Sequence, residues 1–134
     1  MLKARDVMNT DVVSVKKDTP IFEAAKLLVE HNISGLPVVE DDMTLAGILS
    51  EKDVVDLFYE SKNAEKKTVN DYMTEPAVHF DENSDLANIC DFLQKNIFRR
   101  VPVTSNGKLV GIISVKDVLK AVLQLRQEKV GSTN

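Results

Sequence analysis

Two short stretches of this chain hold a serine and an aspartate three apart, Ser50-x-x-Asp53 and Ser114-x-x-Asp117. Each stands where an apolar, strand-like run gives way to a helical one. Such a pair has two chemical uses. It can close a capping box, the serine accepting from a backbone N–H at the helix start while the acid reaches back. That box favours Glu or Gln at its acidic position, whereas both turns carry the shorter Asp. A carboxylate pointing outward instead accepts two hydroxyl hydrogen bonds, and the helix start beside it offers N–H groups to an anion. Strand-to-helix turns often host ligands. Arg99-Arg100 is the second candidate: two planar forks of donors suited to a phosphate, or two solvated side chains ahead of a strand.

The remaining reactive side chains point away from catalysis. Lys52 and Lys116 lie inside the two turns, within reach of either phosphate or solvent. His31 falls near a helix C-terminus, where a structural role is expected. His79 alternates with Val78 and Phe80 and belongs at a surface or the rim of a site. Two histidines and one cysteine without clustered spacing predict no metal site. Cys90 lies on an apolar helical stripe, which suits packing and not nucleophilic attack. No Ser–His–Asp arrangement, P-loop or dinucleotide-binding glycine fingerprint is found, so no enzymatic activity is expected.

The elements that position these residues occur twice. Met8-Asn9-Thr10-Asp11-Val12-Val13 reappears as Met73-Thr74-Glu75-Pro76-Ala77-Val78, and Pro37-Val38 as Pro102-Val103, each 65 positions further on. Gly47-Ile48-Leu49-Ser50-Glu51-Lys52-Asp53-Val54 returns 64 positions on as Gly111-Ile112-Ile113-Ser114-Val115-Lys116-Asp117-Val118. One residue is lost in between, where Asp41-Asp42-Met43 faces Asn106-Gly107. Each copy reads strand, helix, two strands, helix. The leading strands are expected at Val12–Val15 and Ala77–Phe80. The first helix is expected after Thr19 as N-cap, with Pro20 at its first position, and its counterpart after Ser84. Ile21, Ala24, Ala25 and Leu28 form one apolar stripe, repeated by Leu86, Ile89, Cys90 and Leu93. Asn106-Gly107 is a hairpin signal. Gly47 and Gly111 interrupt their strands, marking close approach of a backbone or a ligand.

The fold expected is α+β (mixed α/β): two β-α-β-β-α repeats packed about an approximate two-fold axis, with a ligand-sized cleft between them. The first repeat spans 1–60, a polar linker 61–67, the second repeat 68–126, and a flexible polar tail 127–134. The chain of 134 residues is 43% hydrophobic and 28% charged, with a net charge of −4. These values suit a globular protein and show no basic stripe, so nucleic acid is not an expected partner. No apolar run is long enough for a membrane span. The first residues lack a signal core, and a single cysteine fits a reducing, cytoplasmic setting.

Taken together, Asp6-Val7-Met8, Asp18-Thr19-Pro20, Ser34-Gly35-Leu36-Pro37-Val38-Val39, Phe98-Arg99-Arg100-Val101-Pro102-Val103 and the two Gly-Ile-(Leu/Ile)-Ser-x-Lys-Asp-Val blocks resemble a tandem pair of CBS domains. The resemblance runs from about Ala4 to Leu125. It implies a stand-alone regulatory module, a homodimer, that binds AMP, ADP, ATP or S-adenosylmethionine and signals to a separate protein, as an energy sensor does. Carried over, one site combines Ser114 and Asp117 with Val13, Ile33, Ser34 and Gly35. The other combines Ser50 and Asp53 with Val78, Phe98, Arg99 and Arg100: ribose on Asp53 and Ser50, adenine near Val78 and Phe98, phosphate on the arginines. Phosphate-binding members often carry His-Arg before the strand. Arg99-Arg100 is close to that pattern and Ser34-Gly35 departs from it, implying an empty corner or an uncharged or sulfonium-bearing adenosine derivative. The alternatives are an interaction module without nucleotide, its Ser-x-x-Asp turns acting only as caps, and, further off, a nucleotide hydrolase.

Overall fold

A computed structural model describes residues 1–60 and 62–132. The first repeat holds β1 (Val15–Lys16), α2 (Ile21–Glu30), β2 (Gly35–Val39), β3 (Leu45–Ser50), α3 (Glu51–Val55) and α4 (Leu57–Glu60), preceded by α1 (Ala4–Val7). A 3-10 turn (Val69–Asp71) then leads to β4 (Phe80–Asp81), α5 (Leu86–Lys95), β5 (Arg100–Ser105), β6 (Lys108–Ser114) and α6 (Val115–Ser132). Two three-stranded sheets result, ordered β1-β2-β3 and β4-β5-β6. β1 pairs parallel to β2 and β4 parallel to β5, while β2 and β3 run antiparallel. The expected order of elements is therefore present in both copies. Among the described residues no helix is long and apolar enough to cross a membrane.

The structural units do not follow the repeat boundaries. One unit comprises Val13–Val78 with Gly107–Leu109; the other comprises Met1–Val12, His79–Asn106 and the chain from Val110 onward. Each therefore joins the body of one repeat to the leading segment of the other. In the second-repeat unit, fully buried Ala4 packs with Ile89, Val101, Val103 and Ile113. In the first-repeat unit, Val69, the counterpart of Ala4, packs with Ile21, Leu36, Val38 and Leu49. Burial of such aliphatic side chains stabilises each unit by about 1.5–3 kcal/mol per residue. Equivalent backbone bridges fasten the exchanged segments: Asn9 to Ile112 in one unit, Thr74 to Ile48 in the other.

These bridges explain the mid-strand glycines. A Cβ on Gly47 would lie 2.6 Å from the Thr74 carbonyl oxygen, and one on Gly111 would lie 2.5 Å from Met8 Sδ. Close approach is what the interrupted strands predicted, and the approaching group is the exchanged segment. The Asn106-Gly107 hairpin also forms, with φ of 52° and 79° at its two central residues, as the right-handed twist of the flanking strands requires.

Several local expectations are corrected. The leading strands are only two residues long, beginning at Val15 and Phe80. Their registers, Val15 opposite Val38 and Phe80 opposite Val103, would next place Ser14 against Pro37 and His79 against Pro102. Proline has no N–H to give, so each ladder stops there. α2 starts one residue later than expected, after Pro20, and the Thr19 hydroxyl accepts from Lys16 N–H at 3.0 Å instead of capping the helix. α5 starts after Asp85, not Ser84. The linker is anchored: Ala64 is 1% exposed, and the Lys67 carbonyl accepts from Ile21 N–H at 3.0 Å. α6 runs to Ser132, into the stretch expected as a polar tail. Ser61 of the linker and Thr133 and Asn134 of the tail lie outside the described residues.

Candidate functional site

In the first-repeat unit, β3 ends at Ser50 and α3 begins at the next residue. Ser50 N–H donates to Asp53 Oδ2 at 2.8 Å, and Asp53 N–H donates to Ser50 Oγ at 3.2 Å. The reciprocal capping box is thus formed, with Asp in place of the longer acid. The acid half of the device recurs at two more helix starts, where Asp6 accepts from Lys3 N–H and Asp71 from Thr68 N–H. Short acids at these helix starts therefore serve the backbone throughout the chain. In both Ser-x-x-Asp turns the cap uses Oδ2, and Oδ1 takes no part in it.

Ser34 and Gly35 lie beside this turn. Glu51 N–H donates to the Ser34 carbonyl at 2.8 Å, and Gly35 stands opposite Ser50 in the β2–β3 ladder. Val13 and Ile33 are half-buried against the core of the same unit. Val78 closes this unit's chain segment with 44% of its surface exposed. The corner made by the turn and the start of β2 holds no cationic side chain before the strand, as Ser34-Gly35 dictates.

The second-repeat unit repeats the geometry with different chemistry. Ser114 N–H donates to Asp117 Oδ2 at 2.8 Å and its hydroxyl to the same oxygen at 2.9 Å, while Asp117 N–H donates back at 3.2 Å. Val115 N–H donates to the Arg99 carbonyl at 3.0 Å, which brings the two arginines beside this turn. Arg99 is exposed and Arg100 half-buried at the first position of β5. The Arg100 Nε is shielded from water and has no hydrogen-bond partner among the described residues. Buried polar groups are nearly always paired, so a shielded guanidinium nitrogen without a partner marks a place for an acceptor.

Behind the arginines stands an aromatic row. Phe98 stacks on Phe92 with ring centroids 5.7 Å apart, and Phe92 meets Phe80 edge-on at 5.6 Å. Phe98 keeps 44% of its surface exposed, so one flat apolar face is available while the other is packed. Phe92 was not among the sequence candidates. It lies beside the buried stripe of α5, and no spacing rule separates it from ordinary packing. Thus the structure brings Ser34 and Gly35 to Ser50 and Asp53, and Arg99 and Arg100 to Ser114 and Asp117, each within its own unit. Cys90 packs partly buried against the second-repeat core. Among the described residues no three His, Cys, Asp or Glu side chains gather as a metal site requires.

Comparison with known proteins follows the same residues. An uncharacterized 17.7 kDa protein of Acidianus ambivalens is 33% identical over 130 residues, covering 96% of this chain and 78% of its own. CBSX2 of Arabidopsis thaliana, solved in complex with AMP, superposes with a TM-score of 0.84 at 34% identity, covering 94% of this chain and 99% of that one. The CBS domain pair of protein MJ0100, solved with 5-methylthioadenosine and S-adenosyl-L-methionine, gives a TM-score of 0.74 at 25% identity, covering 91% and 96%. A model of the CBS domain matches residues 4–60 and again 69–124. The chain belongs to the CBS domain family and carries the domain twice.

Proposed function

We propose that this protein is a non-catalytic regulatory module that binds an adenosine-type ligand and passes its occupancy to a separate partner. The observation that carries the reading is the shielded, unpartnered Nε of Arg100. It lies in the second-repeat unit beside the Ser114–Asp117 turn, where a phosphate would supply the missing acceptor. Asp53 and Asp117 receive ribose hydroxyls on the oxygen that the cap leaves over. Arg99 and Arg100 take the phosphate, and the open face of Phe98 takes the adenine. Ser34-Gly35, lacking a cation, suits an uncharged or sulfonium-bearing adenosine derivative. The AMP complex of CBSX2 and the adenosine-derivative complex of the MJ0100 pair support this ligand class.

The module acts as a homodimeric energy sensor in the cytoplasm, where its one cysteine stays reduced. Ligand binding regulates by favouring one of two conformations, to the extent that it binds them unequally. The exposed apolar residues of α3, α4 and α6 support self-association.

Calorimetric titration with adenosine, AMP, ADP, ATP and S-adenosylmethionine tests the proposal, on protein stripped of ligand and checked by mass spectrometry. We expect AMP, ADP or ATP to bind more tightly than adenosine, and Arg99→Gln with Arg100→Gln to erase that difference. If nothing binds, both Ser-x-x-Asp turns are caps only, and the protein is an interaction module without nucleotide.

A further inference from the structure

A row of three aromatic rings sets the second-repeat unit apart from the first. Phe80, Phe92 and Phe98 stand, 65 positions on, where the first repeat has Val15, Leu27 and Ile33. The aliphatic trio serves packing: Val15 is 4% exposed, and Leu27 and Ile33 lie against their unit's core. Of the aromatic trio, Phe80 and Phe92 pack against the second-repeat core, while Phe98 stays 44% exposed. The Phe98 and Phe92 rings are nearly parallel, 17° apart, and Phe80 meets Phe92 edge-on at 67°.

An exposed phenylalanine ordinarily samples several rotamers. Stacking on a packed ring favours one of them, because offset-parallel and edge-on pairs attract beyond the area they bury. A ring plane fixed before the ligand arrives lowers the ordering cost of binding. The row is also tied to the candidate turn. Phe98 is followed by Arg99, whose carbonyl accepts from Val115 N–H at 3.0 Å, next to Ser114. A fixed ring of this kind suits a nucleobase, since every base has a π-face to stack.

We infer that Phe92 is a positioning residue for base recognition: stacked on Phe98 and braced by Phe80, it holds the Phe98 ring as a platform for a planar nucleobase. The inference rests on the nucleotide reading proposed above and adds the residue that orients the base. At the corresponding place the first repeat has Ile33 followed by Ser34-Gly35, neither ring nor cation. The two corners therefore differ in how they meet a base as well as in how they meet a phosphate.

Calorimetry with AMP on wild type, Phe92→Leu, Phe98→Leu and the double variant tests this, with urea midpoints taken alongside. Leucine at 92 is the residue the first repeat carries at the matching place, Leu27. Phe98→Leu is expected to weaken AMP binding at least about fivefold, and Phe92→Leu about 2–10-fold. The double variant should bind no more weakly than Phe98→Leu, since a residue acting through another has no effect once that other is gone. A merely structural Phe92 would lower affinity in either background. Wild-type affinity in Phe92→Leu, or losses that multiply in the double variant, would overturn the inference. Phe92→Met, a flexible gap-filler, repeats the test with the same expectations should leucine leave the core unstable. Wild-type affinity in Phe98→Leu would remove the platform itself and leave the nucleotide reading standing. A wild type that does not bind AMP would overturn both.

Discussion

Ser114 and Asp117 hold each other through three hydrogen bonds. The serine N–H and hydroxyl both donate to Asp117 Oδ2, at 2.8 and 2.9 Å, and the aspartate N–H returns to Ser114 Oγ at 3.2 Å. Ser50 and Asp53 share the two backbone-donated bonds of this set. One oxygen of each carboxylate therefore orients the residue on the helix start, which holds its second oxygen at a defined place. Capping and ligand recognition are compatible on a single aspartate for that reason.

Removing the carboxylate should accordingly do two things at once. Asp53→Ala loses the cap, costing about 0.5–2 kcal/mol of stability. It also loses a charge-assisted contact worth about 1.5–3 kcal/mol, or roughly 10–150-fold in nucleotide affinity. Asp53→Asn keeps an oxygen for Ser50 N–H but carries no charge. It should unfold in urea near the wild-type midpoint while still binding more weakly in calorimetry. Wild-type affinity in Asp53→Asn would remove the ribose assignment.

The two mid-strand glycines should respond unequally to a methyl group. At Gly47 the new Cβ meets a backbone carbonyl, that of Thr74, at 2.6 Å; at Gly111 it meets chiefly the Met8 side chain. Backbone pinned by a bridge to Ile48 has little room to move, whereas a thioether can change rotamer. Gly47→Ala should destabilise by about 1–3 kcal/mol, and Gly111→Ala by less. Urea denaturation of the two variants provides the comparison, and equal losses would contradict this account of the crossing segments.

The exchanged N-terminal segment also carries a pH-sensitive tether. Lys3 Nζ lies 2.6 Å from Asp85 Oδ1. The hydrogen bond from Lys3, and then its charge, hold the Asp85 carboxyl below the ordinary carboxylate range. A depressed folded-state pKa means the tether stabilises fully above the unfolded value and is lost as pH falls through the lowered one. Wild type should thus exceed Lys3→Ala slightly in stability at neutral pH, and the gap should close in acid. Both side chains are well exposed, so the effect is small. Urea midpoints of the pair measured down the pH scale would show it; a gap that widens in acid would reverse the sign.

Much of this protein is local and therefore readable from its residues. The duplication, the stripe from Ile21 to Leu28, the Asn106-Gly107 hairpin and the crowding at Gly47 and Gly111 all follow from periodicity or from what one residue type permits. The candidate turns and arginines were readable too, being marked by residue type at a repeated position. Partners were not. Lys3–Met8 and Thr68–Met73 are near-equivalent segments, each able to bury one small apolar residue against either repeat. Only the tertiary structure decided that Ala4 enters the second-repeat core and Val69 the first. The ends of β1 and β4 likewise depended on register, which set each proline next in line. The unpartnered nitrogen of Arg100 appeared only once β5 had folded around it, since shielding from water is a property of the packed surroundings and not of the arginine.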